Sequence, residues 1–497
     1  MRSFIRNVVT IIPALFFLIL LNAQAQTGPS SGYTTRTLPQ IFIIPSTATS
    51  VTFNVYPNAN NGAGGTWQAY NGFAAPYIYN AGQNPTATVT PLSGYAYSPQ
   101  LTLNGNAGTF TVQAVDSNNT LLATFDITAT PCTSGPLTVT LNSDSVTETP
   151  GELRYSVDHA CAGSTISLSN VSGTITLTNR IRIDDSLTIT GPGIISGNNA
   201  TRLFFIGNGN VSLSNLTLQN GFGQGGNGGI GGAGMGGGIY QNGGSLTISA
   251  VMFNNNTAHG GGGTGDPHGG GGIGGNAGAN GGGSGGDLFG IGGAFVLGGN
   301  GGNGGPGAGG GFGVQGNGGN GGFGGGAGSG DEYGGNGGFG GGGGAPGTGG
   351  FGGGSNGGGG AGFGGAIFQY AGTLSLSDDQ FTNNTASGGS GAQNGQGKGG
   401  AIFIYAGAGA VATATNVTFS DSTAAEAGQN FIGSGSDAGY SNNAGCPGED
   451  DVNICGQVFQ FDVPSTSSYG ANFAPTVTSG GYLSLLSGPC SLPTPES

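Results

Sequence analysis

The stretch GGAIFQYAGTLSLSDDQFTNNTAS, residues 364–387, carries three features in a fixed order. A glycine pair precedes three apolar residues, and apolar and polar residues then alternate in LSLS, which predicts a short half-buried strand. Phe381 ends the apolar pattern and is followed two positions later by Asn383. Because this order of features occurs again elsewhere in the chain, the stretch predicts one unit of an internal repeat.

Four segments align on the last apolar residue of a strand pair. These residues are Leu218, Phe253, Phe381 and Phe419, and two positions after them stand Asn220, Asn255, Asn383 and Asp421. Equal spacing with period-two alternation predicts an all-β fold in which successive turns of a parallel β-helix share one core. Turns stack at about 4.8 Å, so like residues lie above one another. We therefore expect Asn220, Asn255 and Asn383 to form a structural ladder of bonded amides.

Glycine is concentrated between the repeats. The chain has 117 glycines among 497 residues, and Gly-rich insertions occupy about 221–238 and 258–363. Gly-Gly-x triplets suit an extended helix of three residues per turn, and such segments could pack side by side through backbone hydrogen bonds. Gly-rich segments are also typical of flexible linkers. The sequence leaves both conformations open.

Residues 38–130 hold short alternating strands separated by Pro, Asn and Gly. This pattern predicts a small antiparallel β-sandwich. LTLNGNAGTFTVQAVDSNN resembles the last strands of bacterial Ig-like repeats, so we expect an Ig-like module. The aromatic residues of TWQAYNGFAAPYIYN, residues 66–80, are expected to fill its core rather than to stack on sugars.

The first 25 residues have the pattern of a secretory signal peptide. Arg2 and Arg6 precede an apolar core at 8–21, and Ala23-Gln24-Ala25 is typical of a cleavage site. The sequence therefore predicts a secreted or cell-surface protein of bacterial type with no transmembrane segment in the mature chain. The formal net charge is −14 with only 8 Lys and Arg, which argues against a nucleic-acid partner.

An exported chain can form disulfides. Cys446 and Cys455 close a short loop and are the first predicted bridge, and Cys132 with Cys161 is the second. The loop belongs to residues 436–497, which are predicted to form a C-terminal cap or tail.

Asp378 and Asp379 are the candidate catalytic residues, because paired carboxylates hydrolyse glycosidic bonds. The aligned repeats carry Asn215-Leu216 and Ala250-Val251 at these positions, so Asp379 falls either at an apolar strand position or at the turn before it. A polar turn that faces water is the preferred interpretation. Elsewhere, Asp184 and Asp185 are expected to lie beside Arg180 and Arg182 on one outer face.

The sequence predicts no cofactor, although it leaves the binding of Ca²⁺ open. Asp287 lies in GGSGGDLFG, residues 282–290, which fits a single Ca²⁺-binding nonapeptide. The other candidate oxygen ligands lie in the predicted cysteine loop and are Glu449, Asp450 and Asp451.

Residues 137–206 resemble the opening of secreted β-helix proteins of the CSLREA type. The matching segments are Gly173-Thr174-Ile175-Thr176-Leu177, Leu187-Thr188-Ile189 and Gly191-Pro192-Gly193. The sequence departs from that family at Leu153-Arg154-Tyr155, where the family has Leu-Arg-Glu-Ala in a short capping helix. The resemblance implies a right-handed parallel β-helix of the pectin-lyase-like fold over residues 136–435.

The repeats also resemble other surface proteins. GGAI and the F-x-x-N segments at Phe253 and Phe381 are similar to those of polymorphic outer-membrane adhesins, and the inserts resemble mycobacterial PGRS repeats. These resemblances imply a structural or adhesive protein that contacts polysaccharide or other surface material. The alternative is a polysaccharide lyase or glycoside hydrolase of the same fold, but the Gly-His-Gly and Arg-x-Lys motifs of β-helix polygalacturonases are absent from the sequence.

Overall fold

The computed structural model describes residues 26–57, 64–68, 78–80, 85–104, 107–145, 147–265, 268–278, 281–405 and 408–425, with short strands at 438–441, 460–462, 477–478 and 482–484. The described chain is nearly all β, and its contacts divide it into two compact units with a boundary between Pro131 and Cys132. The predicted signal peptide at 1–25, Cys446 and Cys455 lie outside the described residues.

The first unit contains antiparallel strands around one core. Its strands are β1 Ser31–Tyr33, β2 Ile43–Pro45, β3 Val51–Pro57, β4 Gly64–Gln68, β5 Ile78–Asn80, β6 Thr86–Val89, β7 Tyr95–Tyr97, β8 Gln100–Asn104, β9 Gly108–Asp116 and β10 Leu121–Thr130. Six of them form a sheet in the order β1-β10-β9-β3-β6-β5, in which β1 alone pairs in parallel. Two further pairs, β4-β8 and β2-β7, are antiparallel.

Trp67 lies in the core of this unit and is 5% exposed. Its ring meets Phe42 edge to face at 6.1 Å, and its indole N–H donates to the carbonyl of Pro85 at 3.3 Å. The expectation that aromatic residues fill this core is therefore confirmed for Trp67. The other aromatic residues of the 66–80 stretch have no described side chains.

Near its start the second unit has a short helix, α1 Leu153–His159, which lies where the family resemblance placed a helix. Its Leu153 and Val157 are buried in the same core as the strands that follow. The predicted disulfide between Cys132 and Cys161 is present, and the backbone of Thr133 bonds both His159 and Cys161 beside it.

The strands of the second unit are short. Those before residue 265 are β11 Leu137–Thr138, β12 Thr165–Ser167, β13 Thr174–Thr176, β14 Ile181–Ile183, β15 Leu187–Ser196, β16 Phe204–Ile206, β17 Asn210–Gln219, β18 Phe222–Gln224, β19 Gly234–Met235, β20 Ile239–Gln241, β21 Ser245–Ser249, β22 Met252–Asn254 and β23 Thr257–His259. Those after it are β24 Val296–Leu297, β25 Gly313–Val314, β26 Gly362–Phe363, β27 Ile367–Gln369, β28 Thr373–Ser377, β29 Gln380–Thr382, β30 Thr385–Ser387, β31 Gly397–Lys398, β32 Ile402–Tyr405, β33 Val411–Thr415, β34 Thr418–Ser420, β35 Thr423–Ala425, β36 Ala438–Ser441, β37 Gln460–Asp462, β38 Val477–Thr478 and β39 Tyr482–Ser484.

Successive passes of the chain build parallel sheets. Sheet 1 contains β12, β15, β17, β21, β28 and β33, with β22, β29 and β34 as its extension; sheet 2 contains β14, β16, β20, β27, β32 and β36; sheet 3 contains β18, β23, β30 and β35. Each pass from β16 to β35, called a repeat below, adds a strand to sheet 2, then to sheet 1, then to sheet 3. The alignment predicted from sequence is confirmed, since Leu218 pairs with Phe253, Phe253 with Phe381 and Phe381 with Phe419.

One column of the repeat core contains stacked aromatic rings. Phe253 and Phe381 have ring centroids 4.6 Å apart with planes 2° from parallel, and Phe381 stacks on Phe419 at 5.1 Å. Phe253 and Phe381 are fully buried, whereas Phe419 is half-buried. Burial of such a ring stabilises the fold by about 1.5–3 kcal/mol.

The predicted asparagine column occupies tight turns. Asn220, Asn255, Asn383 and Asp421 all have left-handed backbone, with φ from 51° to 55°, a conformation that Asn and Asp tolerate better than other side chains. The bonded amides lie one residue later, where Asn256 Nδ2 donates to Asn384 Oδ1 at 3.0 Å inside the core. Asn220, Asn255 and Asn383 are therefore joined to the next repeat through their backbone N–H groups. The bond between side-chain amides is made instead by the residues that follow Asn255 and Asn383.

The described part of the large insertion is ordered. Its segments bond one another through the backbone, as in the series from Gly328 to Gly319, Gly311, Gly302 and Ala294. A Cβ atom on Gly311 would overlap the carbonyl oxygen of Ala294, and one on Gly319 would overlap that of Gly302, so glycine is required for this close packing. The flexible-linker alternative is therefore wrong for the described residues of 258–363.

Aromatic residues attach the insertion to sheet 2. Phe323, Phe339 and Phe351 stack at 5.2 Å and 5.4 Å, and Phe339 also contacts Phe363 and Tyr405. Behind this stack, the outward column of sheet 2 is formed by Phe205, Tyr240, Phe368 and Phe403. Sheet 2 is therefore apolar on both faces, which matches its paired apolar residues such as Ile367-Phe368.

Phe381→Ala should lower the free energy of unfolding by about 3–5 kcal/mol, because it leaves a cavity between two stacked rings. Phe419→Ala, at the half-buried end of the column, should cost roughly half as much. Urea unfolding followed by circular dichroism measures both. Equal losses would contradict the burial gradient along this column.

Candidate functional site

The two candidate catalytic carboxylates point in different directions. Asp378 is exposed on a left-handed turn with φ 57°, whereas Asp379 is 0% exposed in the column of Leu216, Val251 and Val417. Asp379 Oδ1 accepts the N–H of Val251 at 2.8 Å, and its Oδ2 accepts that of Ser377 at 2.9 Å. The expectation of a water-facing turn is correct for Asp378 and wrong for Asp379, because the strand register directs residue 379 inward.

The two carboxyl groups lie in different environments. Burial raises the pKa of Asp379 from its ordinary value of 3.8 to about 7, against the effect of its two backbone hydrogen bonds. A glycosidase needs two carboxyl groups that flank one bond of the substrate. A buried Asp379 and an exposed Asp378 do not face a common space, so the pair lacks that geometry.

Asp379→Asn should remove a pH dependence of stability. Because the folded protein keeps this proton up to about pH 7 and the unfolded chain releases it near pH 4, the parent should lose roughly 1.4 kcal/mol per pH unit between these values. Asn keeps an oxygen acceptor and cannot ionise, so the variant should show a flatter profile. Urea midpoints from pH 4 to 8 measure the difference.

The exposed neighbour supplies the control for that experiment. Asp378→Asn removes one carboxylate from the same turn and should leave most of the slope in place, because burial raises the pKa of Asp379 more than the nearby charge of Asp378 does. Parallel profiles for Asp379→Asn and the parent would contradict a proton held on Asp379.

A second cluster joins the large insertion to the opening repeats. Asp287, in the single-turn helix Gly286–Leu288, is buried against Arg180, Arg182 and Arg202. Arg180 Nε donates to its carboxylate, Arg182 Nη1 donates to its backbone carbonyl at 2.9 Å, and Arg202 Nη1 lies 3.8 Å from Oδ2. Residues 107 positions apart in sequence are thereby held together.

The electrostatics of this cluster are those of a buried ion-pair network. Burial would raise the pKa of Asp287, but Arg180, with Arg182 and Arg202, outweighs it and holds the pKa below its usual range. Burial lowers the pKa of Arg202 to about 10. Arg182 also pairs with Asp184 and lies 4.7 Å and 4.6 Å above the rings of Phe205 and Phe289.

A cavity of about 210 Å³ opens beside this network, and its lining includes Arg180, Arg202, Thr201, Gln224 and Asp287. Three guanidinium groups around one carboxylate repel a cation, so the surroundings of Asp287 do not suit Ca²⁺. Of the expected pairing of Asp184 and Asp185 with Arg180 and Arg182, that of Arg182 with Asp184 is present. The expected outer face is wrong, because both aspartates are buried, and Arg180 pairs with Asp287 instead. Within the described ranges, no three His, Cys, Asp or Glu side chains form a metal-binding group.

Asp287→Asn should lower the free energy of unfolding by about 3–5 kcal/mol, because it leaves the buried guanidinium of Arg202 without its carboxylate. Asp331→Asn is the matched control: Asp331 is exposed and accepts the N–H of Gln315 at 2.8 Å within the same insertion. Urea midpoints of the two variants give the comparison. A similar small loss in both would show that Asp287 does not anchor the insertion.

The outer face of sheet 1 is lined with hydroxyl groups. Two columns in register contain Thr188, Ser212, Thr247, Ser375 and Thr413, and Thr190, Ser214, Ser249, Ser377 and Thr415. Neighbouring hydroxyls bond along the columns, as from Ser214 to Thr190 at 3.2 Å and from Thr413 to Ser375 at 3.4 Å. These ten residues, called the hydroxyl face, carry no charge and are exposed or half-buried.

Comparisons with known proteins give no relative for the chain. No protein-family model matches it, and no curated protein or solved structure matches it significantly. No helix in the described ranges is long and apolar enough to cross a bilayer.

Glu449, Asp450 and Asp451 lie outside the described residues, so their role as Ca²⁺ ligands stays a prediction.

Proposed function

We propose that residues 136–435 form a right-handed parallel β-helix and that the chain is an exported structural or adhesive protein of the cell surface or extracellular space. Support for the fold comes from repeats that pair in register in three parallel sheets. Support for its hand comes from the resemblance of residues 137–206 to secreted β-helix proteins. Export rests on the signal-peptide pattern at 1–25, and an Ig-like module is proposed for residues 38–130.

The hydroxyl face carries the functional part of the proposal. Its two columns present donors and acceptors at the spacing of parallel strands, about 4.8 Å apart, on a rigid support. A surface of neutral hydroxyls exchanges hydrogen bonds with sugar hydroxyls without desolvating a charge. We infer that this face contacts neutral polysaccharide.

Co-sedimentation of residues 26–497 with insoluble cellulose, chitin and β-1,3-glucan tests the proposal, with a polygalacturonate gel as the acidic comparison. Thr247→Val combined with Thr413→Val removes two hydroxyls from the face and keeps the branched shape of the strand residues. Each lost hydrogen bond costs about 0.5–1.5 kcal/mol, so affinity for the neutral polymer should fall about tenfold.

Sheet 3 provides a matched control. Thr385 and Thr423 form an equivalent hydroxyl pair at 3.3 Å, and Thr385→Val with Thr423→Val should leave binding unchanged. Binding to none of the polymers, or equal loss in both double variants, would overturn the role of the hydroxyl face. Release of new chain ends from any polymer would favour the polysaccharide-cleaving alternative instead.

A further inference from the structure

A four-residue pattern recurs inside the large insertion. Asn-Gly-Gly-Asn occupies 300–303 and 317–320, Tyr-Gly-Gly-Asn occupies 333–336, and Ala-Pro-Gly-Thr occupies 345–348. The structure stacks these segments in register, because each backbone N–H at the last position bonds the side chain of the preceding segment. Asn320 N–H donates to Asn303 Oδ1 at 2.8 Å, Asn336 N–H to Asn320 Oδ1 at 2.8 Å, and Thr348 N–H to Asn336 Oδ1 at 3.0 Å.

The stacking gives this column a definite hydrogen-bonding character. The carbonyl oxygens of Asn303, Asn320 and Asn336 are occupied by the next segment, while their Nδ2 groups have no acceptor within the described chain. All three side chains are exposed. The column therefore presents a row of amide donors to solvent, one for each segment.

These amides line a groove. A depression of about 390 Å³ lies along the stacked four-residue segments. Its polar lining residues stand at the first or last positions of these segments and are Asn300, Asn303, Asn317, Asn320 and Asn336. Glycines of the same patterns form part of its lining and leave the backbone accessible. Tyr333 completes the wall with a side chain that is 60% exposed.

The charges around the groove restrict its ligand. The described residues that line it carry no charge, and the two residues that precede Tyr333 are the exposed Asp331 and Glu332. The chain as a whole has a formal net charge of −14. Anionic ligands are therefore disfavoured, whereas a ligand rich in neutral oxygen acceptors matches the donor row.

We propose that this groove binds a single chain of neutral polysaccharide. The Asn303, Asn320 and Asn336 amides donate to hydroxyl and ring oxygens of successive sugars, and the Tyr333 ring packs against the apolar face of one sugar. The site is separate from the hydroxyl face and shares with the proposed function only the class of ligand. Because the glycine scaffold is ordered, the donors are positioned before the ligand arrives.

Calorimetric titration of residues 26–497 with soluble hexasaccharides tests the proposal. The probes are hexasaccharides of β-1,4-glucan, β-1,3-glucan and β-1,4-mannan, with hexagalacturonate as the acidic counterpart. Asn320→Asp is the informative variant, because Asp keeps the oxygen that accepts the N–H of Asn336 and replaces the donor with a carboxylate oxygen. We expect the parent to bind a neutral probe and this variant to bind it at least tenfold more weakly.

The chain offers a matched control for the substituted amide. Asn276 is exposed, lies outside the groove and accepts the N–H of Asn227 at 2.8 Å, so Asn276→Asp makes the same chemical change elsewhere in the insertion. It should bind like the parent. Asn317 is left unchanged, because its Oδ1 is buried without a described partner and Asp would place an unpaired charge there.

The tyrosine is tested by two substitutions. Tyr333→Ala removes the ring and should weaken binding several-fold, whereas Tyr333→Phe keeps the ring and should bind like the parent. Melting curves of every variant confirm that each is folded before its affinity is compared.

Three results would overturn the proposal. They are equal affinity of Asn320→Asp and the parent, tighter binding of hexagalacturonate than of every neutral probe, and no binding of any hexasaccharide. The Thr247→Val and Thr413→Val variant leaves the groove intact, so a loss confined to it locates binding on the hydroxyl face. Co-sedimentation without hexasaccharide binding would retain the proposed function and reject the groove.

Discussion

In-register pairing of neighbouring repeats is the constraint on which the second unit depends. Because each strand bonds the equivalent position of the next repeat, every side chain must fit against its counterpart, as Phe253 does on Phe381 and Asn256 on Asn384. The register also fixes the direction of each residue. Asp379 is therefore directed into an apolar column, where backbone N–H groups from its own and the adjacent repeat bind its carboxylate.

The same constraint explains how a long insertion is accommodated. Thr257, just before the insertion, and Thr385, in the next repeat, are 128 positions apart in sequence but pair directly, so the insertion does not disturb the register. Loop-closure entropy grows slowly with length, so such an insertion is thermodynamically tolerated. Its glycines permit backbone contacts that a Cβ would prevent, and its aromatic stack packs on the outward face of sheet 2.

The sequence predicted the parts of the fold that repeat, and it missed contacts between distant segments. Leu218, Phe253, Phe381 and Phe419 could be aligned because the strand period is local. The same alignment placed Asp379 with Leu216 and Val251, but the usual exposure of carboxylates favoured the wrong interpretation. The pairing of Asp287 with three arginines joins residues that are far apart in sequence, so no local spacing predicts it. The one indication in the sequence is that basic residues are scarce, since Arg180, Arg182 and Arg202 are three of only 8 Lys and Arg. Order in the insertion was left open, because a flexible linker has the same composition as glycine segments that pack through their backbones.

The distribution of charge connects the fold with its surfaces. Arg154 pairs with Asp144, Arg182 with Asp184, and Arg180 with Asp287, and in each pair the carboxylate is buried. These pairs hold segments together, and they leave the hydroxyl face and the groove neutral. The two neutral surfaces still differ, because hydroxyls on the face bond one another and can donate or accept, whereas the oxygens of Asn303, Asn320 and Asn336 already accept from the next segment and their Nδ2 groups are left to donate. One chain thus combines a regular face suited to an extended surface with a groove suited to a single polymer strand.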